Sequence, residues 1–239
     1  MSEAFERVES PWLPKQGIAP QSDDGASPQV HDLLQLDPAS LRQACIDAPN
    51  WARLALASCP WVVVRRAQAP TGQIAVGVRG SSRSERWGCF VSTELIIRVV
   101  SPAELLAVAR SSAPGLRTPP FNALPWLIER WCDLTLPWGP TGSVGFELAT
   151  GRQAATNLSD LDVAIRANAR ISVEQARWLY ERATGLRTKV DIRVETPQCG
   201  FSLEEYACAS SPILLRYPDS VRFGNDPWAK NSQAVEATP

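Results

Sequence analysis

Residues 159–165 have the sequence SDLDVAI, in which acidic and apolar side chains alternate. Because successive side chains of a β-strand point to opposite faces, Asp160 and Asp162 share one face while Leu161 and Val163 point into a core. Two carboxylates on one strand face can share a divalent cation. A solvated edge strand would show the same alternation, so the stretch predicts a strand and leaves the role of its aspartates open.

Residues 189–195, with the sequence KVDIRVE, predict a second strand with the same period. Its polar face carries Asp191, Arg193 and Glu195. If this strand neighbours the first one, Asp191 can complete a three-carboxylate site of the kind that Mg²⁺ prefers, with Glu195 as the reserve candidate. The same residues could instead form a salt-bridged surface face.

A glycine-bearing turn, residues 138–143 with the sequence WGPTGS, precedes the aspartates. The missing side chain at Gly142 lets backbone N–H groups and the Ser143 hydroxyl approach a phosphate closely. Gly-Ser is also a common turn dipeptide, so the turn alone is weak evidence. Trp138 is a candidate for stacking on a base, although tryptophans more often fill cores.

Helices and strands alternate along the folded part of the chain. Predicted helices lie at about 37–46, 102–110, 121–133 and 173–183, with a short one opening at 202; predicted strands lie at 61–64, 74–78, 94–100, 161–165, 190–194 and 213–217. This order predicts an α+β protein. We expect a small N-terminal α/β domain, followed by a C-terminal domain with a mixed sheet flanked by helices.

Composition divides the 239 residues into four parts. Residues 1–28 are rich in Ser, Pro, Asp and Gln and predict a disordered tail, and residues 226–239 predict a flexible one. A cluster of Pro, Gly and Ser at 111–120 marks a linker. We therefore expect an N-terminal domain over 29–115 and a catalytic domain over 116–225.

Charge and composition exclude several classes of protein. A net charge of −1 provides no general attraction for nucleic acid or for an anionic membrane. The sequence has neither an apolar stretch of ~18 residues nor a secretory signal, which predicts a cytoplasmic protein without a membrane partner. Six scattered cysteines without a Cys-x-x-Cys pair predict free thiols, and a single histidine, His31, excludes a multi-histidine zinc site.

Taken together, the motifs resemble the nucleotidyltransferase superfamily typified by DNA polymerase β. Its signature is a small or hydrophobic residue, Gly, and Gly or Ser, followed by Asp-x-Asp on one strand and a third carboxylate on a later strand. Residues 141–143, Asp160, Asp162 and Asp191 match it, although the sixteen residues 144–159 form a longer spacing than usual. The resemblance implies a nucleotidyltransferase-like domain with catalytic Asp160, Asp162 and Asp191, which would hold two Mg²⁺ ions, or Mn²⁺.

A closer resemblance covers roughly residues 30–225. Residues 138–151, 159–162, 190–197, 64–67, 76–80 and 31–34 are similar to the phosphoribosyl-dephospho-CoA transferase family of malonate decarboxylase. That family resemblance implies transfer of the phosphoribosyl-dephospho-CoA group from triphosphoribosyl-dephospho-CoA to a serine of the malonate decarboxylase acyl carrier protein. Pyrophosphate would be released.

Basic side chains must offset the charge of such a donor. With Gly142 and Ser143, the phosphate-binding candidates are Arg152, Lys189 and Arg193, and Arg166 and Arg187 also lie near the motifs. In the N-terminal domain, Arg65, Arg66 and Arg79 are candidates for binding the donor or the carrier protein.

Two other functions fit the motifs less well. The first is a general nucleotidyltransferase that uses a nucleoside triphosphate to modify a small molecule or a protein. The second is a non-catalytic binding module, which is disfavoured because all three carboxylate positions are filled. Nucleic-acid polymerisation is disfavoured by the near-neutral charge.

Overall fold

The computed structural model describes residues 27–41, 47–82, 84–111, 118–208 and 212–229. The N-terminal domain contains a five-stranded sheet in the order β4-β3-β2-β1-β5. Its strands are β1 (Leu33–Leu36), β2 (Trp61–Val64), β3 (Gln73–Arg79), β4 (Arg86–Ser92) and β5 (Ile96–Val100). Every described pairing in this sheet is antiparallel, so the domain is α+β rather than α/β in the strict sense.

One face of this sheet is covered by helix α1 (Asn50–Ser58). Ala52 and Leu56 of the helix join Leu34, Val62 and Val76 of the strands in a closed apolar cluster. The predicted hairpin of β2 and β3 is confirmed, and the strand predicted at 94–100 begins at Ile96. Half of the helix predicted at 37–46, residues 42–46, lies outside the described residues.

The C-terminal domain contains a six-stranded sheet in the order β11-β10-β9-β8-β7-β6. Its strands are β6 (Trp138–Pro140), β7 (Leu161–Arg166), β8 (Val190–Glu195), β9 (Gly200–Ser202), β10 (Ile213–Arg216) and β11 (Val221–Gly224). β7 and β8 pair in parallel, while their outer neighbours pair antiparallel, which confirms the mixed sheet.

Five helices accompany this sheet: α2 (Pro102–Ser111), α3 (Pro119–Arg130), α4 (Gly142–Thr150), α5 (Val173–Ala183) and α6 (Leu203–Cys208). The side chain of Ser172 accepts a hydrogen bond from the Gln175 N–H at 3.1 Å, and Gln175 accepts one from the Ser172 N–H at 2.8 Å. This capping box fixes the start of α5, as the sequence predicts. No helix in the described ranges is both long and apolar enough to cross a bilayer.

The division between the domains lies near Ser101 rather than at residue 115. Helix α2 packs on the C-terminal domain, where Leu106 joins the core of Leu124 and Val163. The Pro102 carbonyl oxygen lies so close to Gly139 that a Cβ at that glycine would be 1.8 Å from it. The Pro/Gly/Ser cluster therefore falls inside the second domain, between α2 and α3.

The C-terminal domain also extends past residue 225. The Trp228 indole Nε1 donates a hydrogen bond to the Ala167 carbonyl at 3.0 Å, and its ring packs edge-on against Phe201 and Tyr206. Residues 226–229 thus pack on the sheet instead of belonging to a flexible tail. Residues 1–26 and 230–239 lie outside the described part, as does Cys45; the five described cysteines are free thiols, as predicted.

Two partly buried ion pairs join the domains. Arg166 at the end of β7 pairs with Asp32, and Glu195 at the end of β8 pairs with Arg66. The His31 ring Nε2 lies 2.9 Å from a second Glu195 oxygen. Burial alone would raise the pKa of Glu195, but the hydrogen bonds and charges of His31 and Arg66 outweigh it and hold that pKa below its ordinary value. The N-terminal domain is therefore fixed against the polar face of β7 and β8.

We predict that Glu195→Ala destabilises the protein by about 3 kcal/mol, because Arg66 would be left as a buried charge without its carboxylate. Asp226→Ala, which breaks the exposed pair with Arg170, should cost less than about 1 kcal/mol. Because the pKa of Glu195 is lowered on folding, its contribution is present above about pH 4.3 and is lost as the pH falls through the lowered value. Chemical denaturation at pH 7 and pH 3 measures both effects; equal costs for the two variants would contradict this account.

Candidate active site

Parallel pairing of β7 with β8 brings the predicted carboxylates together. Asp162 lies directly opposite Asp191 in the register, and Asp160 immediately precedes β7. The predicted strand neighbour is thus correct. Leu161, Val163 and Ile192 point to the other side and are buried in the core.

The turn at Gly142 is the N-terminus of helix α4, which the sequence did not predict as a helix. Gly142 has φ 56°, and a Cβ there would lie 1.9 Å from Oδ2 of Asp162. The Thr141 N–H donates to the Asp162 carbonyl at 2.9 Å, which holds the helix start against β7. Glycine is therefore required at 142 both by the backbone conformation and by the adjacent carboxylate. The first N–H groups of α4 suit an anion, and Ser143 lines the same space.

The negative charge of Asp162 is only partly offset by nearby positive charges. Burial raises its pKa most strongly, and the charges of Asp191 and Asp160 raise it further. His31 and Arg193 act in the opposite direction but do not cancel these effects. The Arg193 guanidinium donates to an Asp191 oxygen at 3.2 Å. A cation bound between the carboxylates would relieve this repulsion, so the charge of the site fits a divalent metal.

Within the described residues, no group of three or more His, Cys, Asp or Glu side chains is gathered closely enough to hold a metal ion. Asp160, Asp162 and Asp191 are the carboxylates that an ion would draw together. The three-carboxylate metal site stays a prediction.

Glu195 belongs to a different part of the sheet. In the parallel register it lies opposite Arg166, at the other end of β8 from Asp191. Four residues of extended strand span roughly 13 Å. Both of its carboxylate oxygens are engaged, one by His31 and the other by Arg66. Asp191, and not Glu195, is therefore the carboxylate that accompanies Asp162.

A cleft of about 860 Å³ separates the two domains at this point. Its C-terminal wall includes the carboxylates and the helix start, namely Thr141, Gly142, Ser143, Asp160 and Asp162. Its N-terminal wall includes His31, Arg65, Arg79 and Arg86, and apolar side chains such as Leu33, Trp61, Val63 and Phe146 line the interior. The volume falls within the range of small-molecule sites.

Arg65 enters the cleft across a pair of glycines. Gly77 of β3 lies opposite Gly88 of β4, and a Cβ at Gly88 would lie 1.8 Å from a guanidinium nitrogen of Arg65. The paired glycines therefore make the space that this side chain occupies. Arg65 makes no side-chain hydrogen bond or ion pair with the described residues, so its charge is available to a ligand.

Arg79 reaches across the cleft from β3. Its guanidinium donates to the Ala154 carbonyl at 2.9 Å. Burial lowers the pKa of Arg79, the nearby charge of Arg86 lowers it further, and Asp162 acts in the opposite direction. Arg86 was not predicted as a site residue from the sequence. It begins β4 directly opposite Arg79 in the register, and a pairing of these two strands could have indicated its place in the site.

Several predicted site residues lie elsewhere. Arg66 belongs to the ion pair between the domains, and Arg193 pairs with Asp191 at the edge of the carboxylate group. Lys189 is exposed and does not line the cleft. Arg152 lines a neighbouring groove, where it donates to the Ser58 hydroxyl at 2.8 Å.

Trp138 is not a stacking platform. Its ring is buried and packs edge-on against Trp131, with the ring centroids 4.8 Å apart. Trp138 therefore belongs to the core beneath the cleft. Trp61 and Trp87 are the tryptophans that line the cleft itself.

Both domains of this chain match known protein families. The family described as phosphoribosyl-dephospho-CoA transferase MdcG N-terminal domain matches residues 29–102, and the corresponding MdcG C-terminal domain family matches residues 105–227. Their junction coincides with the structural boundary near Ser101. No solved structure matches the chain significantly.

Similar proteins are full-length relatives with the same description. A phosphoribosyl-dephospho-CoA transferase of Pseudomonas putida is 37% identical over 208 residues, which cover 87% of this chain and 98% of the relative. One of Pseudomonas fluorescens (strain Pf0-1) is 40% identical over 210 residues, with the same coverage. One of Azotobacter vinelandii is 36% identical over 211 residues, covering 84% of this chain and 94% of the relative.

Two domains around an interdomain cleft, with paired aspartates beside a helix start, fit the transferase class that these relatives share. The chain belongs to the MdcG family of phosphoribosyl-dephospho-CoA transferases. The family predicted from the sequence is thereby confirmed, and with it the prediction that the chain is a transferase.

We predict that Gly142→Ala lowers the rate of transfer at least about tenfold, because its methyl group would displace the Asp162 carboxylate from the helix start. Gly151→Ala is the matched control: Gly151 also has a positive φ, of 70°, but nothing lies within 4 Å of its Cβ position. Both variants should lose about 1 kcal/mol of stability from the backbone conformation. An equal loss of transfer in both variants would show that the contact with Asp162 is unimportant.

Proposed function

We propose that this enzyme transfers the phosphoribosyl-dephospho-CoA group of triphosphoribosyl-dephospho-CoA to a serine of the malonate decarboxylase acyl carrier protein. The observation that carries the proposal is the cleft that Asp160 and Asp162 line beside the start of α4, with Asp191 next to Asp162 on the neighbouring strand. Arg65, Arg79 and Arg86 line the same cleft, and none of them is ion-paired with a carboxylate in the described part of the chain. Such a site suits a donor with several phosphates.

The proposed chemistry is one displacement at phosphorus. The serine Oγ of the carrier protein attacks the α-phosphorus of the donor, and the bond to the bridging oxygen of the leaving pyrophosphate breaks. The serine loses its proton, for which Asp191 is the candidate acceptor, since its side chain is partly exposed at the carboxylate group. The product is a phosphodiester between the carrier serine and the donor's ribose.

The start of α4 would orient the triphosphate. Gly142 and Ser143 present the free N–H groups of the first helical turn, and a bare backbone allows close approach of phosphate oxygens. The charge of Asp162 acts to raise the pKa of Arg79, so this arginine lies near enough to the carboxylates to offset phosphate charge from the opposite wall. Arg65 would contact the part of the donor nearer to β3 and β4.

Asp160, Asp162 and Asp191 would hold Mg²⁺, with two ions as the proposed number and Mn²⁺ as an alternative. The raised pKa of Asp162 supports cation binding at this position. When bound, such ions stabilise charge on the attacking and leaving oxygens. The residues themselves supply the negative charge and the fixed strand geometry.

The acceptor and the compartment belong to the same proposal. The free thiols of the described cysteines suit a reducing compartment, which supports the cytoplasm. A protein acceptor suits a site that opens between two domains, whereas a net charge of −1 does not suit nucleic acid.

Mass spectrometry of the apo carrier protein, incubated with the enzyme, Mg²⁺ and triphosphoribosyl-dephospho-CoA, tests this function. We expect one serine to gain the mass of the phosphoribosyl-dephospho-CoA group, with pyrophosphate released. Asp162→Asn should reduce transfer at least about a hundredfold, since a carboxylate that would hold the metal ion beside the reacting phosphate is lost. Asp219→Asn, at an exposed turn between β10 and β11, should be as active as the wild type.

Preference for ATP, with AMP left on the acceptor, would overturn the proposed donor in favour of a general nucleotidyltransferase. Full activity of Asp162→Asn would overturn the proposed role of the carboxylates. Circular dichroism of both variants distinguishes a loss of function from a loss of folding.

A further inference from the structure

A second cavity adjoins the cleft along the seam between the domains. We call it the side groove; it lies between helix α1 and residues 151–156 and has a volume of about 560 Å³. Trp61, Arg79 and Phe146 line both the cleft and the side groove, so the two spaces adjoin each other. The side groove takes no part in the chemistry proposed above.

Hydrogen bonds from two arginines cross this seam. Arg79 donates to the Ala154 carbonyl at 2.9 Å, where the side groove meets the cleft, and Arg152 donates to the Ser58 hydroxyl at 2.8 Å within the groove. Neither arginine forms an ion pair with a carboxylate in the described ranges. Two arginines without an ion-pair partner, one at the junction with the cleft and one within the groove, favour an anionic group there.

Beyond these arginines, the side groove is partly apolar. Trp51 lies against the backbone at Gly80, where a Cβ would come within 2.9 Å of the indole ring. Leu54 is 63% exposed on the rim and adds apolar surface to the groove. The groove also has groups able to form hydrogen bonds, among them Ser58, Gln153 and Thr156.

A donor built on dephospho-CoA has matching parts. Dephospho-CoA is ADP whose terminal phosphate is esterified to pantetheine, a chain of alkyl groups, amides and a hydroxyl that ends in a thiol. Resting on the function proposed above, we propose that the side groove binds the pantetheine arm of the donor, with the diphosphate at the junction beside Arg79. The triphosphate then occupies the cleft at the start of α4.

This placement gives the enzyme a means of selecting its donor. Binding energy from the arm, which is remote from the reacting phosphorus, can orient the triphosphate at the carboxylates. A nucleoside triphosphate fills only the cleft and lacks that contribution. Burial of two methylene groups of the arm is already worth about a tenfold difference in affinity.

Isothermal titration calorimetry of the full chain with dephospho-CoA and with ADP tests the proposal, because the two ligands differ by the pantetheine arm. We expect the wild type to bind dephospho-CoA at least about tenfold more tightly than ADP. Leu54→Asp places a carboxylate on the apolar rim and should reduce the affinity for dephospho-CoA about tenfold, while the affinity for ADP stays unchanged. Gln153→Trp, which fills the groove from the exposed opposite wall, should have the same selective effect.

Val221→Asp is the matched control, since Val221 is 61% exposed on β11 and lines neither cavity. It should leave both affinities unchanged. Equal binding of dephospho-CoA and ADP by the wild type, or an equal loss of both in Leu54→Asp, would overturn the proposed arm site. If the enzyme transfers the group to the carrier protein but binds dephospho-CoA and ADP equally, only the arm site is contradicted. If it binds dephospho-CoA more tightly than ADP but transfers nothing, only the proposed function is contradicted.

Discussion

Parallel pairing of two neighbouring strands is the constraint on which the rest of the site depends. The β7–β8 register sets Asp162 against Asp191, two like charges on a partly buried face. Like charges on neighbouring strands repel each other, and the raised pKa of Asp162 reflects both burial and this repulsion. The fold tolerates the arrangement because the opposite faces of both strands, with Val163 and Ile192, are buried in the main core of the domain.

The second constraint is the way the N-terminal sheet is held. The pairs of Asp32 with Arg166 and of Arg66 with Glu195 fix it at the far ends of β7 and β8. At the near ends, the cleft lies over Asp162 and Gly142. One polar strand face therefore serves two purposes, with ion pairs for domain contact at one end and available carboxylates at the other.

Helices and strands that are marked by a regular spacing of apolar and polar residues, or by a local capping motif, were predictable from the sequence. The alternation around Asp162 and Asp191, and the capping box at Ser172, determine their own strands and helix. The direction of Arg65 was also predictable, because it continues the alternation of Trp61 and Val63 toward the cleft, whereas Arg66 does not line the cleft. The sequence alone does not indicate that Arg65 is available to a ligand while Arg66 joins the two domains.

Long-range contacts account for what the sequence did not predict. Helix α4 was not predicted because Gly142 and Gly145 are poor helix formers. Both glycines are nevertheless required, because Asp162 lies too close to Gly142, and the Pro140 carbonyl too close to Gly145, for a side chain. The short strands β9 and β11 owe their existence to pairing partners rather than to their own pattern. The domain boundary was misplaced because α2 packs on residues that follow it in the sequence, across a linker-like segment.

We propose that Asp162 and Asp191 form a cation site for phosphoryl transfer. Titration of the metal-free enzyme with Mn²⁺, followed by electron paramagnetic resonance, tests this site directly without relying on turnover. We expect the wild type to bind Mn²⁺ and Asp162→Asn to lose this binding while remaining folded. Equal Mn²⁺ binding by the wild type and Asp162→Asn, or no binding by the wild type even with the donor present, would contradict it.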